Sequence, residues 1–589
     1  MSSQLNILSK YTLLLCFALM AYSSFVFYPR WQQQHTQATI AYDVEGYYYY
    51  LPSIFIYKDI KKFSFKDSIM DKYQASGTGV FQHGFKDEKS GNYILKYSCG
   101  MALMYLPAFV AAHSIVSFTG FPADGFSIPY QLSLQIWGLL FTLIGLYYLR
   151  KLLKYYYSDT VVSIVLLLLV LGTNYLNYAT IDVGMSHSWL FTLYVFLLLN
   201  THYFYQTLSA KFAIRSGFII GLLVLIRPTE IIACLIPLLW GVESLSDLKN
   251  RFKLLIRNNK TVAVAALGLF SVVFIQLFYW HYVSGQWIVY SYRDQGFNFL
   301  RPHAFMYSWS YRAGWLRYSP MMLLCFVGFL IYAWRGKNKF AVMIFFALNY
   351  YIVSAWNVWD YGGFSGRAMI QSYPVLLFAM ASFIELTIQK KYLALVATPV
   401  IILFVYINIW WTYQAHTAGG LVDSNCTTKE YYWKMVGRWS LPEMFFKLKD
   451  TNELPEFEPQ VLNLIYSDTS SAHSCVDKET QDQHFAAISL ANTQENEWIR
   501  VAADFHAYQK EWDVWKMPQF IVQLKSGSQI IKTRMIRTHR FLNDNEKRNL
   551  FIDIRIPNQK ADSIVVSYWN AEGDKKNCLS KLTFYSFKA

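Results

Sequence analysis

The chain has 589 residues, of which 54% are hydrophobic, 18% aromatic and 15% charged. Soluble globular chains carry about 25% charged residues, so this composition excludes a disordered chain and argues against a single soluble enzyme of this length. The net charge is +15, from 53 basic and 38 acidic residues. In a membrane protein such an excess collects in cytosolic loops, so it does not by itself indicate a nucleic-acid partner.

Long apolar runs predict about eleven transmembrane helices, because a helix needs about 20 residues to cross a bilayer. The predicted spans are 8–28, 130–149, 160–178, 187–206, 213–227, 229–243, 262–283, 319–334, 340–356, 370–388 and 392–413. The apolar stretch 101–118 is ambiguous. Clusters of Lys and Arg between the spans fall on one side only if 101–118 does not fully cross, so the positive-inside rule favours a re-entrant or juxtamembrane helix there. The N-terminus is then cytosolic, and the loop 29–129 and the C-terminus are periplasmic.

The tail beyond residue 413 has a different character. Residues 414–482 predict juxtamembrane helices followed by a linker at 451–482 that is rich in Ser, Asp, Glu and Pro. In 483–589, short runs alternate apolar and polar residues, as at Ile552, Ile554 and Ile556. The strand candidates are 498–507, 519–525, 528–536, 563–569 and 579–587. The predicted fold class is an all-α polytopic membrane domain, 1–413, followed by a mostly-β periplasmic domain of the β-sandwich type.

Two acids follow the first span directly, within a block of tyrosines. Asp43 and Glu45 precede four consecutive tyrosines, Tyr47 to Tyr50. Tyrosine rings favour the membrane interface, which places these carboxylates where one of them could accept a proton from an acceptor hydroxyl. A solvated loop turn is the alternative reading. Lys96 and Tyr97 precede the ambiguous helix, and Lys96 either neutralises a lipid phosphate or extends along the lipid surface to reach water.

Further polar residues interrupt apolar runs at the predicted outer ends of the spans. Asp182 and His187 lie in a short loop between two spans, and Arg227 precedes Pro228 and Glu230. Acids, histidines and arginines at membrane depth are costly, so they usually line a cavity. A buried histidine and an internal pair of Arg227 with Glu230 are the structural alternatives.

Arginines and aromatic residues are interleaved in the predicted outer loop 284–318. The arginines of this loop are Arg293, Arg301, Arg312 and Arg317, and Arg367 follows the Gly-rich turn 362–366. Planar guanidinium groups suit phosphate, so these residues are candidates for a phosphate or diphosphate site. An ordinary turn between helices is the alternative for 359–367.

The cysteines lie at 16, 99, 234, 325, 426, 475 and 578 and form no CxxC pair. Zinc and thioredoxin-type chemistry therefore have no support from the sequence, and no His or Cys ligand spacing predicts a metal or another cofactor. Divalent metal dependence is left open. Cys426, Cys475 and Cys578 are predicted to be outside, where a disulfide between two of them is plausible, but the sequence does not select the pair.

The order of these motifs resembles the C-type glycosyltransferase superfamily of polytopic membrane enzymes. The resemblance is to the branch with protein O-mannosyltransferases and lipid A aminoarabinose transferases, including uncharacterised Bacteroidetes-type relatives. The segments that carry it are Asp43 with 46–48, Lys96 with Tyr97, Asp182 with 185–187, 227–229 and 362–367. It covers about residues 1–415 and not the tail.

The resemblance implies inverting transfer of a sugar from a polyprenyl-phosphate donor to a hydroxyl of an envelope lipid, glycan or protein. Asp43 is then the base, with Glu45 and Asp182 as further catalytic candidates. Lys96, Tyr97, His187, Arg227 and the outer arginines are candidates for binding the donor. Val44 separates Asp43 from Glu45, whereas many family members have two adjacent acids.

Two other functions remain as alternatives at this point. A lipid or polysaccharide flippase could also have eleven or so spans, but transporters tend to show repeats and charges at the membrane midplane. A structural assembly protein with a partner-binding tail would not explain acids and arginines on the same outer face. The partners implied by the leading reading are the sugar donor, the acceptor and the lipid bilayer, and no nucleic acid.

Overall fold

The computed structural model describes residues 7–77, 81–416, 420–423, 425–455, 457–468, 474–485, 487–490, 497–557, 561–571 and 573–588. The chain divides into two compact units. Unit 1 comprises Met1–Ile69 and Phe81–Ala418, and unit 2 comprises Met70–Val80 and Gly419–Ala589. Parts of the predicted linker 451–482 lie outside the described residues.

The chain is mainly helical as far as residue 416. The helices in this part are α1 (Leu8–Tyr22), α2 (Asp43–Tyr48), α3 (Tyr50–Phe55), α4 (Lys66–Tyr73), α5 (Gly100–Ile115), α6 (Ile128–Leu153), α7 (Asp159–Gly172), α8 (Ser186–Thr207), α9 (Ala210–Ile226), α10 (Leu235–Leu239), α11 (Leu245–Arg257), α12 (Asn259–Ser284), α13 (Ala304–Trp309), α14 (Trp315–Tyr318), α15 (Met322–Arg335), α16 (Lys339–Ala355), α17 (Tyr373–Gln389) and α18 (Lys391–His416). Two short strands, β1 (Gly84–Lys86) and β2 (Tyr93–Leu95), form an antiparallel hairpin before α5.

Six helical segments among the described residues are long and apolar enough to cross a membrane. They are Leu8–Gln32, Gly100–Phe118, Ile128–Leu153, Asn259–Ser284, Arg367–Gln389 and Lys391–His416. The ambiguous stretch 101–118 is one of them. Shorter apolar helices lie at Asp159–Gly172, Pro228–Leu239, Met322–Trp334 and Lys339–Ala355. The helices α8 and α9 overlap the predicted spans 187–206 and 213–227. The chain therefore has the helices of a multi-pass membrane protein.

A buried polar cluster ties three helices together at one end of the bundle. The Ser9 backbone amide and hydroxyl donate to the Asp159 carboxylate at 2.9 and 2.5 Å. Nε of Arg150 in turn donates to the Ser9 hydroxyl at 2.7 Å. These bonds fix the start of α1 against α6 and α7, and an unpaired carboxylate at this depth would be costly.

Unit 2 contains two antiparallel sheets. Its strands are β3 (Asn463–Ser467), β4 (Ser474–Val476), β5 (Asp482–His484), β6 (Ile488–Ser489), β7 (Trp498–Ala507), β8 (Gln519–Ser526), β9 (Gln529–Arg537), β10 (Glu546–Arg555), β11 (Ser563–Trp569) and β12 (Asn577–Phe587). One sheet has the order β10-β7-β12-β3, with β4 also paired to β12. The other has the order β5-β11-β8-β9, with β6 also paired to β11. A short helix, α19 (Lys429–Met435), precedes the strands.

The inner faces of the two sheets share one apolar core. The ring of Phe505 on β7 lies 5.0 Å from that of Phe520 on β8. Ile552 and Ile554 on β10 are buried as predicted, but Asp553 between them is also buried, where it is paired with Arg500. The predicted linker also contributes strands, since β3 and β4 pair with β12. β3 is largely exposed although three of its five residues are apolar, and β4 has only three residues, so neither strand shows a clear alternation of buried and exposed positions.

A disulfide joins Cys475 on β4 to Cys578 on β12. The sequence left this pair undetermined, whereas the pairing of β4 with β12 places the two residues opposite each other. Cys426 is buried and is not in the disulfide.

Candidate active site

Asp43 stands at the start of α2, where two donors hold its carboxylate. Oδ2 accepts from Nη2 of Arg367 at 2.5 Å, and Oδ1 accepts from the Tyr97 hydroxyl at 2.7 Å. The side chain of Asp43 is 25% exposed and that of Arg367 is 15% exposed. The carboxylate is therefore fixed in orientation but still accessible.

Tyr97 approaches Asp43 because α2 has a glycine on that side. A Cβ atom on Gly46 would lie 2.6 Å from the Tyr97 ring and 2.7 Å from Nδ1 of His83. The Tyr97 ring also packs edge-on against Tyr47, with centroids 4.6 Å apart. The Tyr50 hydroxyl donates to the Tyr97 carbonyl at 2.7 Å. Two turns of the tyrosine block thus position the residue that binds Asp43.

Lys96 lies next to this pair among aromatic rings. Its Nζ is 5.6 Å from the centroid of Tyr97 and 5.5 Å from that of Tyr292. Burial lowers the pKa of Lys96, and the charges of Asp43 and Asp294 act in the opposite direction. Lys96 therefore contributes positive charge close to Asp43 without being its direct ion-pair partner.

The Gly-rich turn 362–366 delivers Arg367. A Cβ atom on Gly363, where φ is 122°, would lie 2.9 Å from the Tyr178 hydroxyl and 3.1 Å from Cδ of Arg367. The Tyr178 hydroxyl donates to the Phe364 carbonyl at 2.9 Å, and the Tyr307 hydroxyl donates to that of Gly366 at 3.0 Å. These bonds hold the turn in place, and its glycines leave room for the Arg367 side chain to reach Asp43.

The electrostatics of Asp43 favour the ionised form. Burial raises the pKa of Asp43, but the charge of Arg367, the hydrogen bond from Tyr97 and the charge of Lys96 outweigh it, so the pKa lies below the usual aspartate value. Burial, with the charge of Asp43, raises the pKa of Tyr47 to about 12. Tyr47 is also within electrostatic reach of Arg367 and Arg227. These groups form one charged cluster around α2.

Glu45 is placed in a different environment from Asp43. Its carboxylate is buried, accepts from the Tyr49 hydroxyl at 2.8 Å and lies 3.1 Å from Nε2 of His83. Two residues along a helix turn a side chain by about 200°, so α2 directs the two acids to different sides. The structure therefore gives Glu45 a role within the first loop and does not bring it to Arg367.

Asp182 belongs to a second polar cluster. It forms an ion pair with Arg30, and Nδ2 of Asn177 donates to its Oδ2 at 2.8 Å. Nε2 of His416 hydrogen-bonds to Asn177 in turn. The sequence did not predict Arg30 as the partner of Asp182, because the two residues are far apart in the chain and Arg30 belongs to no recognisable motif. The structure does not place Asp182 in contact with Asp43, Lys96 or Tyr97.

His187 lies close to Arg227 and Gln371 in a buried part of unit 1. Nδ1 of His187 lies 3.4 Å from Nη1 of Arg227 and 3.2 Å from Oε1 of Gln371. Gln371 also donates through Nε2 to the Glu230 carboxylate at 2.6 Å, and Glu230 accepts from the Tyr194 hydroxyl at 2.5 Å. Glu230 is thus satisfied by neutral partners. The sequence missed Gln371, which lies in an apolar span with no motif around it.

A cavity of about 150 Å³ adjoins Arg227. Tyr290, Tyr292, Trp356 and Tyr361 form aromatic walls. A second cavity, of about 210 Å³, is lined by Lys96 and Arg293 and shares Tyr292 with the first. The two cavities meet at this ring, whose centroid is 6.0 Å from that of Tyr97. Asp43 lines neither cavity, and the cavities connect to it through Lys96, Tyr97 and Tyr292.

The loop arginines are distributed more widely than the sequence suggested. The guanidinium of Arg293 lies 5.0 Å from the Phe85 centroid at the second cavity. Arg312 forms an ion pair with Asp360. Nε of Arg317 donates to the Trp309 carbonyl at 2.6 Å, and the side chain of Arg301 is exposed. The structure brings Arg227 and Arg367 to the charged cluster, but not Arg301, Arg312 or Arg317.

No group of three or more His, Cys, Asp or Glu side chains suited to a metal ion occurs within the described ranges. No protein-family model matches the chain, and no curated protein matches it closely enough to count as a relative.

Proposed function

We propose that the chain is an inverting membrane glycosyltransferase that moves a sugar from a polyprenyl-phosphate donor to a hydroxyl group of an envelope lipid, glycan or protein. The observation that carries the proposal is the carboxylate of Asp43, held by Tyr97 and Arg367 within a charged cluster that reaches Lys96 and Arg227, each of which lines a cavity. An ionised acid next to clustered cations suits a reaction that removes a proton and releases a phosphate.

Asp43 acts as the general base in this proposal. Each carboxylate oxygen has two acceptor positions, so the bonds from Tyr97 and Arg367 leave lone pairs for a substrate hydroxyl. The acceptor oxygen bonds to the anomeric carbon as the bond from that carbon to the donor phosphate oxygen breaks. The hydroxyl proton passes to Asp43, and the sugar inverts at the anomeric carbon.

Arg367, Arg227 and Lys96 stabilise the leaving polyprenyl phosphate. Negative charge grows on the phosphate as the bond breaks, and fixed cations are most effective where charge develops. Nε of Arg367 is buried and has no hydrogen-bond partner among the described residues. A phosphate oxygen would satisfy this donor, which would otherwise remain desolvated at a cost of about 1–3 kcal/mol.

The cavity beside Arg227 receives the donor. Its aromatic walls are suited to the apolar face of a sugar ring and to the first units of a polyprenyl chain. The second cavity, at Lys96 and Arg293, then receives the acceptor on the other side of Tyr292. In this scheme Asp43 faces both substrates, as direct displacement requires.

The proposed topology has about eleven spans, with the site and unit 2 on the periplasmic face of the inner membrane. The disulfide between Cys475 and Cys578 supports an oxidising compartment for unit 2. The flippase alternative gains no specific support, because the charged groups cluster around one accessible carboxylate at the start of α2.

Comparison of envelope glycans and lipid A tests the function. A strain lacking the gene is expected to lose one sugar from one envelope component by mass spectrometry. Wild-type protein restores it and Asp43→Asn, produced at equal level in the membrane, does not. Glu88→Gln, which changes an exposed acid in the same loop, is the matched control. An unchanged set of glycans in the deletion strain would contradict the proposal.

A further inference from the structure

A third cavity of unit 1 is lined by none of the residues that surround Asp43. An apolar groove of about 360 Å³ runs between α9, α10, α11 and α12. Its walls include Ala213, Ile220, Leu238, Leu255 and Ala266. None of these residues takes part in the proposed transfer reaction.

The groove occupies the opposite end of the same helices from the candidate active site. On α9 it is lined as far as Ile220, whereas Arg227 follows the last residue of that helix. Ten residues of α-helix, as from Gly217 to Arg227, span about 15 Å. On α12 the groove is lined by residues as far as Leu269, while Gln276 and Tyr279 bind backbone amides next to Lys96 and Tyr97. The groove and the candidate active site therefore lie toward opposite ends of α9 and α12.

Close packing of α9 on α12 forms the floor of the groove. A Cβ atom on Gly217 would lie 1.9 Å from the Ala265 carbonyl oxygen, and one on Gly268 would lie 2.8 Å from that of Ile214. The two backbones are therefore in contact and leave an apolar channel beside them. Such a channel has the chemistry of an acyl-chain site.

The helix α11 lies along the mouth of the groove and has an unpartnered amphipathic surface. None of its residues is buried. Leu245, Phe252 and Ile256 lie on one face and are 80%, 49% and 73% exposed. Since large apolar side chains at this spacing form a continuous stripe, α11 has the pattern of a helix in the plane of a membrane surface.

Three basic side chains of α11 and one at the start of α12 lie near this stripe. They are Lys249, Lys253, Arg257 and Lys260, all exposed. No ion pair to any of these four occurs in the described part of the chain. The nearby Asp247 carboxylate accepts from the Ser244 hydroxyl at 2.8 Å. Unpaired cations beside an apolar stripe complement a phosphate layer above hydrocarbon, and each contributes about 1 kcal/mol at an anionic surface.

We infer that the groove binds the acyl chain of an anionic phospholipid whose headgroup phosphate contacts Lys253, Arg257 and Lys260 at the junction of α11 and α12. The site lies in the leaflet opposite the candidate active site and is independent of the sugar transferred. A zwitterionic lipid offers the same chain without net negative charge, so the preference for anionic lipid comes from the basic residues.

Native mass spectrometry of the full chain tests this inference. The wild-type protein is incorporated into nanodiscs with equal amounts of dioleoyl phosphatidylglycerol and dioleoyl phosphatidylcholine, and the retained lipid is counted. Preferential retention of phosphatidylglycerol is expected. Lys253→Gln with Arg257→Gln should reduce its affinity about fivefold for each charge removed. The control pair Lys390→Gln with Lys391→Gln removes two exposed charges elsewhere.

A second variant tests the groove itself. Ala266→Trp places a large apolar side chain at the groove, where Ala266 is exposed, and should displace the retained lipid. Ala263→Trp, at an exposed position of α12 outside the groove, is the matched control. Equal retention of the two lipids by wild type, or full retention of phosphatidylglycerol by Ala266→Trp, would overturn the inference.

Discussion

Arg367 and Asp43 are separated by 324 residues, yet the Arg367 guanidinium donates to the Asp43 carboxylate at 2.5 Å. The contact joins the Gly-rich turn before α17 to the start of α2. It pairs the proposed base with one of the cations proposed to stabilise the leaving group. The same guanidinium can serve both, since its buried Nε is free for a phosphate.

Replacement of Arg367 should change the pH dependence of transfer. The arginine charge lowers the pKa of Asp43, so the wild-type base stays ionised and kcat/KM should be flat from about pH 8 to about pH 5. In Arg367→Gln the pKa of Asp43 rises, and activity is lost at higher pH as the solution is acidified. The kcat/KM profile measures this, with Arg215→Gln, at an exposed position on α9, as the control. An acid limb at the same pH in wild type and Arg367→Gln would argue against the pairing.

Gly46→Ala should disturb the site through Tyr97. The added methyl group would lie 2.6 Å from the Tyr97 ring, so the ring or α2 must move. We expect a loss of about 1–3 kcal/mol in the free energy of unfolding and reduced turnover, because the hydrogen bond to Asp43 is displaced. Gly296→Ala, where the nearest atom is 3.8 Å away, is the control. Wild-type stability and turnover in Gly46→Ala would contradict the observed packing.

The sequence predicted some parts of this structure well and others poorly. The ranges of β7, β8, β9 and β11 agree with the predicted ones within a residue or two. In β8 and β11 the burial alternates with the period of two that a half-buried sheet imposes. Apolar runs also predicted helices along unit 1, but six of the described helical segments, not eleven, are long and apolar enough to cross a membrane. Each pattern lies within a single segment, so a strand or a helix can be predicted without knowing which other segments it contacts.

The site was predicted only in part. The motifs around Asp43, Lys96 and the Gly-rich turn identified residues that do come together, including Tyr97 and Arg367. The orientation of Glu45 and the partner of Asp182 were not predictable, because they depend on the direction of a short helix and on a distant arginine. Residue type alone also could not separate Arg227, at the cavity, from arginines bound to their own loops.

The cysteine pairing gives a prediction for unit 2. Cys475→Ser or Cys578→Ser should lower the free energy of unfolding by about 2–5 kcal/mol, since each opens a loop closed over 103 residues. Peptide mapping without reduction should find these two residues linked and Cys426 as a thiol. A crosslink to Cys426 would show a different pairing.

Lys447 should make the stability of unit 2 depend on pH. Burial lowers its pKa to about 7, its Nζ lies 3.0 Å from the Phe551 centroid, and Asp553 only partly offsets the burial. The unfolded chain binds a proton between about pH 7 and about pH 10 that the folded chain does not, so stability rises with pH there by at most about 1.4 kcal/mol per unit.

Lys447→Met is expected to remove this contribution, whereas Lys547→Met, at an exposed position on β10, should keep it. Thermal unfolding of the full chain at several pH values provides the comparison. A slope in Lys447→Met as steep as in wild type would show that Lys447 is charged in the folded protein.

Sugar transfer by Asp43→Asn tests the central claim most directly. The sugar that the deletion strain lacks identifies the donor. Purified protein in nanodiscs is then given that sugar, radiolabelled, on polyprenyl phosphate, together with the acceptor. We predict that Asp43→Asn keeps its thermal stability and donor binding but loses about 10²–10⁴-fold in turnover, as expected for removal of a general base. Glu45→Gln should lose less, since Glu45 is bound by Tyr49 and lies near His83, and Glu88→Gln should match wild type. Near-normal turnover in Asp43→Asn would contradict the account.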